Sequence, residues 1–494
     1  MKLYSLISTA LAFGTLASLG QAIPDRPEKL KFPRLDFQPP IPADYRVELK
    51  SGPVAYLVPD RELPLINISI QVRTGDYLDP DGKEGLAGLT GYLLARGGTK
   101  TWKAEDLDEH LAFLAANLGS SIGDTSGSLN LNLLSKDLSE GLKVLREVLT
   151  APRFQDDKLT LRKEQILQSM KQRNDDARGI ERRERYFLVY GEDFFLNRHS
   201  TKASIDSITR EDIQKFHQQW FVPGNFVVAV NGDFDRKDMI ARLEKLFADW
   251  PVSGKAPAPV PAKYEFAKPG VYIVEKDINQ GRVNVVMPGI HRDDPDFFAG
   301  QIMNDILGGG GFTSRIMNRV RSDEGLAYSA GSALPGGVYY PQYFIAAFQS
   351  KSITVAYATS IVMEELKRIA TAPVTDEELN TAKKSMTETF PQNFATKGQV
   401  AGQFAADEYS GRFAKHPEYW NTYRQKIEQV TAADVQRVAK RFMKLDEAVI
   451  LVVGKKEEIL KGHPDHKVKL TDLVKGPLVD VPLRDPLTMK PVAK

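Results

Sequence analysis

The sequence predicts an α+β protein made of two duplicated homologous domains, each an antiparallel-rich sheet covered by helices, joined by a proline-rich linker. Three observations predict this fold class. Strand-like and helix-like segments alternate along the 494 residues, one pattern of segments occurs twice at a constant offset, and prolines cluster between the two copies. A chain of this length is also too long for one ordinary core, so several domains are expected.

The internal repeat has an offset of 222 residues. Segment 205–214, IDSITREDIQ, aligns with segment 427–436, IEQVTAADVQ, and VVAVNG at 227–232 aligns with VILVVG at 449–454. A single offset that holds at both a helix start and a strand indicates a duplicated domain.

Apolar periodicity predicts the order of elements within the first copy. Strands are predicted at Val54–Val58, Ile66–Val72, Leu129–Leu134 and Phe226–Val230. Helices are predicted at Leu86–Ala95, Leu107–Leu118, Leu138–Leu149 and Lys158–Arg173. The second copy repeats the pattern from Val271 onward. The charged segment from Arg178 to Arg185 is interpreted as a solvated helical face, with a grip on an acidic partner as the alternative.

These patterns predict six regions along the chain. They are a leader at 1–22, an extended arm at 23–45, a first domain at 46–250, a linker at 251–269, a second domain at 270–474 and a tail at 475–494. The arm, the linker and the tail are rich in proline, which favours extended polyproline geometry.

The leader has the pattern of a secretory signal peptide. Lys2 supplies a positive start, residues 3–20 are uncharged, and Gly20-Gln21-Ala22 offers small residues for cleavage after Ala22. An uncleaved membrane anchor is the alternative, but the apolar core of this segment is short for a membrane span. We therefore expect an exported, periplasmic protein with no membrane span after cleavage.

Composition excludes several function classes. The chain has 66 Lys and Arg against 64 Asp and Glu, so its net charge of +2 does not favour binding to nucleic acid or anionic lipid. It has no cysteine, which excludes disulfides, thiolate metal sites and cysteine nucleophiles. A metal site would need His, Asp or Glu, and the chain has only seven histidines.

Two segments stand out, EGLAGLTGYLLARGGTK at 84–100 and LGGGGFTSRIMNRVRSDEGLAYS at 307–329. Through them, and through its duplicated halves, the chain resembles the pitrilysin/insulinase-type zinc peptidases. The resemblance is strongest to the non-zinc subunit of the bacterial heterodimeric form, which is related to the subunits of mitochondrial processing peptidase. It covers nearly all of the chain after the leader.

The resemblance implies that the zinc motif of this chain is degenerate. In catalytic members the first segment contains His-x-x-Glu-His, whose two His bind zinc and whose Glu acts as base. The matching positions here are Gly88, Gly91 and Tyr92, and the family's third ligand maps by counting near Ser169, with Glu164 one turn earlier. Glycine has no donor atom and neutral tyrosine is a poor zinc ligand, so we expect no metal or cofactor in this chain.

Two explanations of the glycines remain open. Small residues are simply tolerated once the metal is lost, although each glycine costs the helix about 1 kcal/mol relative to alanine. Alternatively, Gly88 and Gly91 leave room for a partner or a peptide.

The second segment keeps an Arg and a Tyr seven residues apart, Arg321 and Tyr328. The resemblance implies that this pair reaches across a cleft to a zinc site. There an Arg presents fixed donors to peptide carbonyls, and a Tyr hydroxyl donates to a carbonyl oxygen that gains charge. The alternative is that Arg321 pairs with Asp323 or Glu324 and that Tyr328 is half-buried packing.

The resemblance also implies a peptide-binding edge at 120–126, with Ser121, Gly123 and Asp124 as substrate-binding residues and the peptide as an added strand. The leading hypothesis is a catalytically incomplete subunit that supplies Arg321 and Tyr328 to a homologous, zinc-bearing partner and is inactive alone. The alternatives are a non-enzymatic peptide-binding or scaffold protein of the same fold, and independent peptidase activity through an unrecognised metal site.

Overall fold

The computed structural model describes Arg26, Leu30, residues 36–250 and residues 256–492. The predicted signal peptide, residues 23–25, 27–29 and 31–35 of the predicted arm, the first five residues of the predicted linker and the last two residues of the predicted tail lie outside the described residues. From Pro39 onward the chain forms one body, and the description below concerns that body.

The body contains two six-stranded sheets and one two-stranded ribbon within its described residues. The strands are β1 (Arg46–Glu48), β2 (Val54–Pro59), β3 (Leu65–Val72), β4 (Asn117–Ile122), β5 (Gly127–Leu134), β6 (Phe226–Gly232), β7 (Gly270–Glu275), β8 (Gln280–Pro288), β9 (Ile290–His291), β10 (Ala327–Ala333), β11 (Gly336–Gly337), β12 (Tyr343–Lys351), β13 (Val449–Gly454) and β14 (Leu478–Asp480).

Helices pack on both sheets. They are α1 (Pro42–Tyr45), α2 (Leu86–Arg96), α3 (Ala104–Phe113), α4 (Leu138–Thr150), α5 (Asp156–Lys171), α6 (Ala177–Tyr190), α7 (Lys202–Ser207), α8 (Arg210–Trp220), α9 (Arg236–Phe247), α10 (Phe297–Asn304), α11 (Arg315–Met317), α12 (Val355–Thr371), α13 (Asp376–Thr389), α14 (Lys397–Tyr409), α15 (Arg412–Lys415), α16 (Tyr419–Gln429), α17 (Ala432–Phe442) and α18 (Lys456–Lys461).

The two large sheets share one topology in five of their six strands, and the remaining edge strand differs, because β1 pairs antiparallel with β2 whereas β14 pairs parallel with β7. The first has the order β1-β2-β6-β3-β5-β4, and the second reads β14-β7-β13-β8-β12-β10. In each sheet one inner pair, β2 with β6 and β7 with β13, is parallel, whereas the next strand inward pairs antiparallel. Helices α8 and α17 begin and end 222 residues apart, and both start with a Thr and Asp capping box. The predicted duplication and the α+β class are confirmed.

Each half has its own apolar core between one face of its sheet and its helices. In the first half, alternate residues of β3 (Ile66, Ile68, Ile70 and Val72) point into this core because side chains alternate along a strand. In the second half, residues of β8 and of the long helix α12 belong to the corresponding core.

The other face of each sheet is covered by a helix from the opposite half. Helix α14 lies on β2 and β6 of the first sheet, where Phe404 packs against Tyr56 with ring centres 5.9 Å apart. Helix α6 lies on β8 and β13 of the second sheet, where Asn284 donates to Glu181 at 2.8 Å. The two halves therefore exchange one helix each.

Helix α6 corrects the interpretation of residues 178–185 as a solvated face. Glu184 is only 1% exposed, and Glu181 and Arg183 are also buried. Glu184 accepts from Arg183 at 2.8 Å, and Glu181 forms an ion pair with Arg282 of β8. Glu181 thus pairs with the second sheet and Arg183 with Glu184, whereas Arg178 and Arg182 are exposed, so only part of this charge-rich segment is solvated.

The predicted helix Leu107–Leu118 is too long. Helix α3 ends at Phe113, and Ala115 adopts a left-handed backbone conformation with φ of 48°. The chain turns there, and Leu118 points into the core from strand β4 rather than from a helix.

The C-terminal tail runs along this chain's own surface. Strand β14 extends the second sheet beside β7, and Arg484 then forms ion pairs with Glu184 and Glu192. Further on, the Leu487 carbonyl accepts from Lys202 N at 2.8 Å, and Leu487 packs against the first core. The tail thus connects the second sheet to the helices of the first half.

Candidate functional site

The segment that the resemblance matches to the zinc motif lies on helix α2. The Asp79 carboxylate caps this helix, because it accepts from the backbone N–H groups of Gly85 and Ala87, each at 2.8 Å. Gly88 is exposed in the first turn, whereas Gly91 is buried against the edge strand β4.

Strand β4 occupies the space beside Gly91. A Cβ atom placed on this glycine would lie 2.4 Å from the Ile122 nitrogen and 2.8 Å from the Ser121 carbonyl carbon. The Ser120 hydroxyl also enters the α2 backbone, donating to Gly91 O at 2.5 Å and accepting from Ala95 N at 3.0 Å. No side chain fits at the position of the family's catalytic base, so Gly91 leaves no room for a ligand.

Gly88 differs, because nothing lies within 4 Å of a Cβ atom placed on it. The two glycines therefore predict opposite effects of alanine. Gly91→Ala should destabilise the protein by about 1–3 kcal/mol through overpacking against β4. Gly88→Ala should stabilise it by up to about 1 kcal/mol through helix propensity. Urea unfolding midpoints of both variants test this, and midpoint shifts of the same sign would contradict it.

The remaining positions of the zinc motif hold no metal ligand set. The guanidinium carbon of Arg162, on α5, lies 4.1 Å from the centre of the Tyr92 ring, which is a cation–π contact. Ser169 and Glu164 are exposed on the same helix. Among residues 36–250 and 256–492, no three His, Asp or Glu side chains are arranged to hold a metal ion.

Asp79 predicts how stability changes with pH. Burial raises the pKa of Asp79 to about 7, and the charge of Asp76 acts in the same direction. The backbone hydrogen bonds from Ala87 and Gly85 and the charge of Arg198 lower this pKa and offset part of the effect.

Because its ordinary pKa is about 3.9, folded Asp79 holds a proton that the unfolded chain has released. The stabilisation that proton binding by Asp79 gives the folded chain is therefore complete below about pH 4. It is lost as the pH rises through about 7. Urea unfolding midpoints of wild type and Asp79→Asn at pH 5 and pH 8 measure the effect. The wild type should lose more stability over this interval, and an equal loss in both proteins would count against the assignment.

Arg321 and Tyr328 lie beside each other on the surface of the second half. The Arg321 guanidinium carbon is 4.7 Å from the centre of the Tyr328 ring and 4.6 Å from that of Phe312. Tyr328 is 84% exposed and Phe312 is 63% exposed. Within the described chain Arg321 forms no ion pair, with Asp323 and Glu324 included. The geometry thus differs from the alternative of a paired Arg and a half-buried Tyr.

Arg321 and Tyr328 both lie on irregular stretches of backbone. Arg321 lies in a π-helical segment, Asn318–Asp323, and such segments are frequent at functional sites. Tyr328 lies where the pairing of β10 with β12 shifts between Ala327 and Ala330, and bulges of this kind re-aim side chains. Strand β10 is also the edge of its sheet, so its outer side is open.

The predicted substrate-binding residues lie at the corresponding edge of the first sheet. Ser121 is exposed on β4, with its hydroxyl 3.0 Å from that of Ser128. Gly123 and Asp124 follow the strand, and their carbonyls accept from Asp76 N at 2.9 Å and Tyr77 N at 3.3 Å. These two carbonyls are therefore engaged within the chain.

The structure thus brings the predicted residues together in two groups. Ser121 lies next to Gly91, and Arg321 lies next to Tyr328, but no hydrogen bond, ion pair or ring contact joins these two groups in the described part of the chain. The sequence analysis did not identify Phe312 or Arg162 as site residues. Phe312 forms a cation–π contact with Arg321, and Arg162 forms one with Tyr92. Only the position of Phe312, directly after four glycines, offered a signal.

Two family models match the chain. Residues 59–186 match Insulinase (Peptidase family M16), and residues 207–386 match the Peptidase M16 inactive domain, so together they cover more than half of the chain. The chain belongs to the M16 family. This M16 chain is catalytically incomplete, because its inactive-domain match accompanies a motif without metal ligands.

Similar proteins include both protease-named and non-peptidase members of the family. An uncharacterized zinc protease of Mycobacterium tuberculosis is 24% identical over 386 residues, or 76% of this M16 chain and 85% of the relative. The non-peptidase homolog YmxG of Helicobacter pylori is 24% identical over 405 residues, or 80% of this chain and 90% of the relative.

Solved structures show the same fold. A peptidase M16 inactive domain from Pseudomonas fluorescens superposes with a TM-score of 0.73 at 24% identity, covering 83% of this M16 chain and 97% of that chain. The periplasmic protease PqqL from Escherichia coli gives a TM-score of 0.66 at 15% identity, with 83% of this chain and 45% of PqqL covered.

Proposed function

We propose that this chain is the non-zinc subunit of a two-subunit zinc peptidase. The observation that carries the proposal is the pair Arg321 and Tyr328, in which Arg321 is partly exposed and its guanidinium lies beside the ring of Tyr328, which is 84% exposed. A partly exposed Arg without an ion-pair partner among the described residues and an exposed Tyr side chain are free to bind a peptide carbonyl at a site completed by another chain.

Zinc and the catalytic base would then come from a homologous partner subunit. Gly91 supports this division, because β4 fills the position of the base and the motif of this chain cannot accept it. The comparison with PqqL also fits, since this chain covers less than half of that protease and a second M16 body would be supplied here by another chain.

The peptide substrate would extend along the outer edge of the first sheet, with Ser121, Gly123 and Asp124 at one end of its path. Main-chain hydrogen bonds to an open strand edge give affinity with little sequence preference. Because the carbonyls of Gly123 and Asp124 are already bonded within the chain, added-strand pairing would use β4 itself.

Export to the periplasm belongs to the same proposal. The pattern of the first 22 residues supports it, and one structural neighbour is a periplasmic protease. No helix in the described ranges is long and apolar enough to cross a membrane.

Reconstitution tests the proposal. The mature chain, an M16 homologue that carries His-x-x-Glu-His, and their mixture are assayed on unfolded peptides and by size-exclusion chromatography. We expect a stable complex, cleavage by the mixture, and no cleavage by this chain alone. A zinc-bearing homologue that is fully active alone and never binds this chain would refute the proposal. Stoichiometric peptide binding without cleavage in any mixture would instead support a non-enzymatic peptide-binding protein, in line with the name of the Helicobacter relative.

A further inference from the structure

A cavity of about 690 Å³ lies next to the start of α2, between the end of α5 and the start of α6. Its volume is in the usual range for small-molecule sites. Both acidic and basic side chains line it. Most of them are paired within the chain: Asp79 caps α2, Arg183 pairs with Glu184, and Arg198 pairs with Asp81 and Glu84. The groups that remain unpaired are of more interest.

The unpaired acidic groups are Asp76 and Asp124. The Oδ1 atom of Asp76 is buried and has no hydrogen-bond partner. The two residues are neighbours, since Asp76 N donates to the carbonyl of Gly123 at 2.9 Å. Burial and the charge of Asp124 raise the pKa of Asp76 to about 6, as expected for a carboxylate that no cation in the chain neutralises.

The unpaired basic groups are Arg173 and Arg182. Arg173 donates to the Pro486 carbonyl at 3.0 Å and to the Ser200 hydroxyl at 3.3 Å, neither of which carries a charge. Arg182 is exposed and forms no ion pair within the residues that the structure describes. Burial lowers the pKa of His199, which also lines the cavity, to about 4, and the charges of nearby arginines, Arg173 and Arg182 among them, act in the same direction, so this ring is neutral at pH 7.

The two sets share one cavity without neutralising each other. No ion pair joins Asp76 or Asp124 to Arg173 or Arg182 in the described residues, so their charged atoms are more than 4 Å apart. Asp76 and Arg173 are partly buried, so leaving their charges unpaired is unfavourable, and a ligand with both charges would relieve the cost at both residues.

We propose that this cavity binds the free ends of a short peptide, with its amino group at Asp76 and Asp124 and its carboxylate at Arg173 and Arg182. A peptide of two or three residues spans roughly 7 to 11 Å, so its two charged ends can reach groups that are more than 4 Å apart. Opposite charges on the two walls do not suit a metal ion or a simple anion. This inference does not depend on the role of Arg321 and Tyr328. Its ligand, a short peptide, is the kind of molecule that peptide hydrolysis releases.

Titration calorimetry on the mature full-length chain tests this with trialanine as the probe. The controls are N-acetylated, C-amidated and doubly blocked trialanine, together with inorganic phosphate. The variants are Asp76→Asn and Arg182→Gln, which remove charge without breaking a hydrogen bond of the folded chain. Arg178→Gln, on the same helix as Arg182 but outside the cavity, is the matched control.

We expect trialanine to bind with a Kd below about 1 mM. N-acetylation or C-amidation of trialanine should each weaken binding about tenfold or more, and so should each of the two variants. This is the loss expected for one charge-assisted hydrogen bond. The control Arg178→Gln should leave the affinity unchanged. Equal affinity for doubly blocked trialanine, equal affinity for phosphate, or no binding of trialanine would overturn the proposal. Binding of trialanine by a chain that does not support cleavage in any mixture would separate this inference from the proposed function.

Discussion

Tyr328→Phe is expected to lower the kcat of the assembled peptidase by about 100- to 1000-fold, with little change in KM. Removal of one donor from an oxyanion-stabilising site typically costs about 2.7–4 kcal/mol in the transition state. The ring remains, so its cation–π contact with Arg321 and its packing are preserved, and only the hydroxyl is lost. Steady-state kinetics of the reconstituted complex on one peptide measure kcat and KM separately.

Arg321 complements this test. Arg321→Ala should raise KM and lower kcat together, because an Arg that binds a peptide carbonyl acts in the ground state and in the transition state. Arg321→Lys should restore little, since an ammonium group lacks the planar array of donors and stacks less well between Phe312 and Tyr328. Arg178→Ala, an exposed Arg elsewhere on the surface, is the control. Wild-type turnover in both Tyr328→Phe and Arg321→Ala would defeat the assignment.

Arg484→Ala should destabilise the folded chain by about 3–5 kcal/mol, the cost typical of breaking a buried ion pair. Arg484 is buried, and it reaches Glu184, which is 1% exposed, and stacks on the Phe187 ring at 3.5 Å. Its removal leaves Glu184 with one cation fewer and releases the tail from α6. The urea unfolding midpoint measures the effect.

The matched control is Arg242→Ala, which removes an exposed ion pair between Arg242 and Asp238 one helical turn apart. Pairs of that kind contribute about 0.3–0.5 kcal/mol. If the two variants shift the midpoint equally, then the tail is not anchored by Arg484.

The repeat in the sequence predicted the architecture because the local signals of the two copies agree. The same Thr and Asp pattern caps α8 and α17, and the same apolar run forms β6 and β13. The exchange of α6 and α14 could not be predicted in this way. Helical periodicity shows that a helix has a buried face, but not which sheet covers it, and the charges of α6 suggested a face in water.

The candidate site was predictable to a similar extent. The spacing of Arg321 and Tyr328 identified the pair, but the contact with Phe312 depends on a turn that follows the glycine run. Gly88 and Gly91 are identical in sequence terms, and only the approach of β4 distinguishes them. Distances between segments far apart along the chain decide such questions, and local patterns do not contain them.

The exchanged helices have a consequence for dissecting the molecule. If the first half were expressed alone, Tyr56 would lose Phe404 and its hydrogen bond to Glu408, and one sheet face would meet water. The second half would likewise lose the partner of Asn284. Neither fragment should be stable by itself, so hydrogen exchange should report a single cooperative unit.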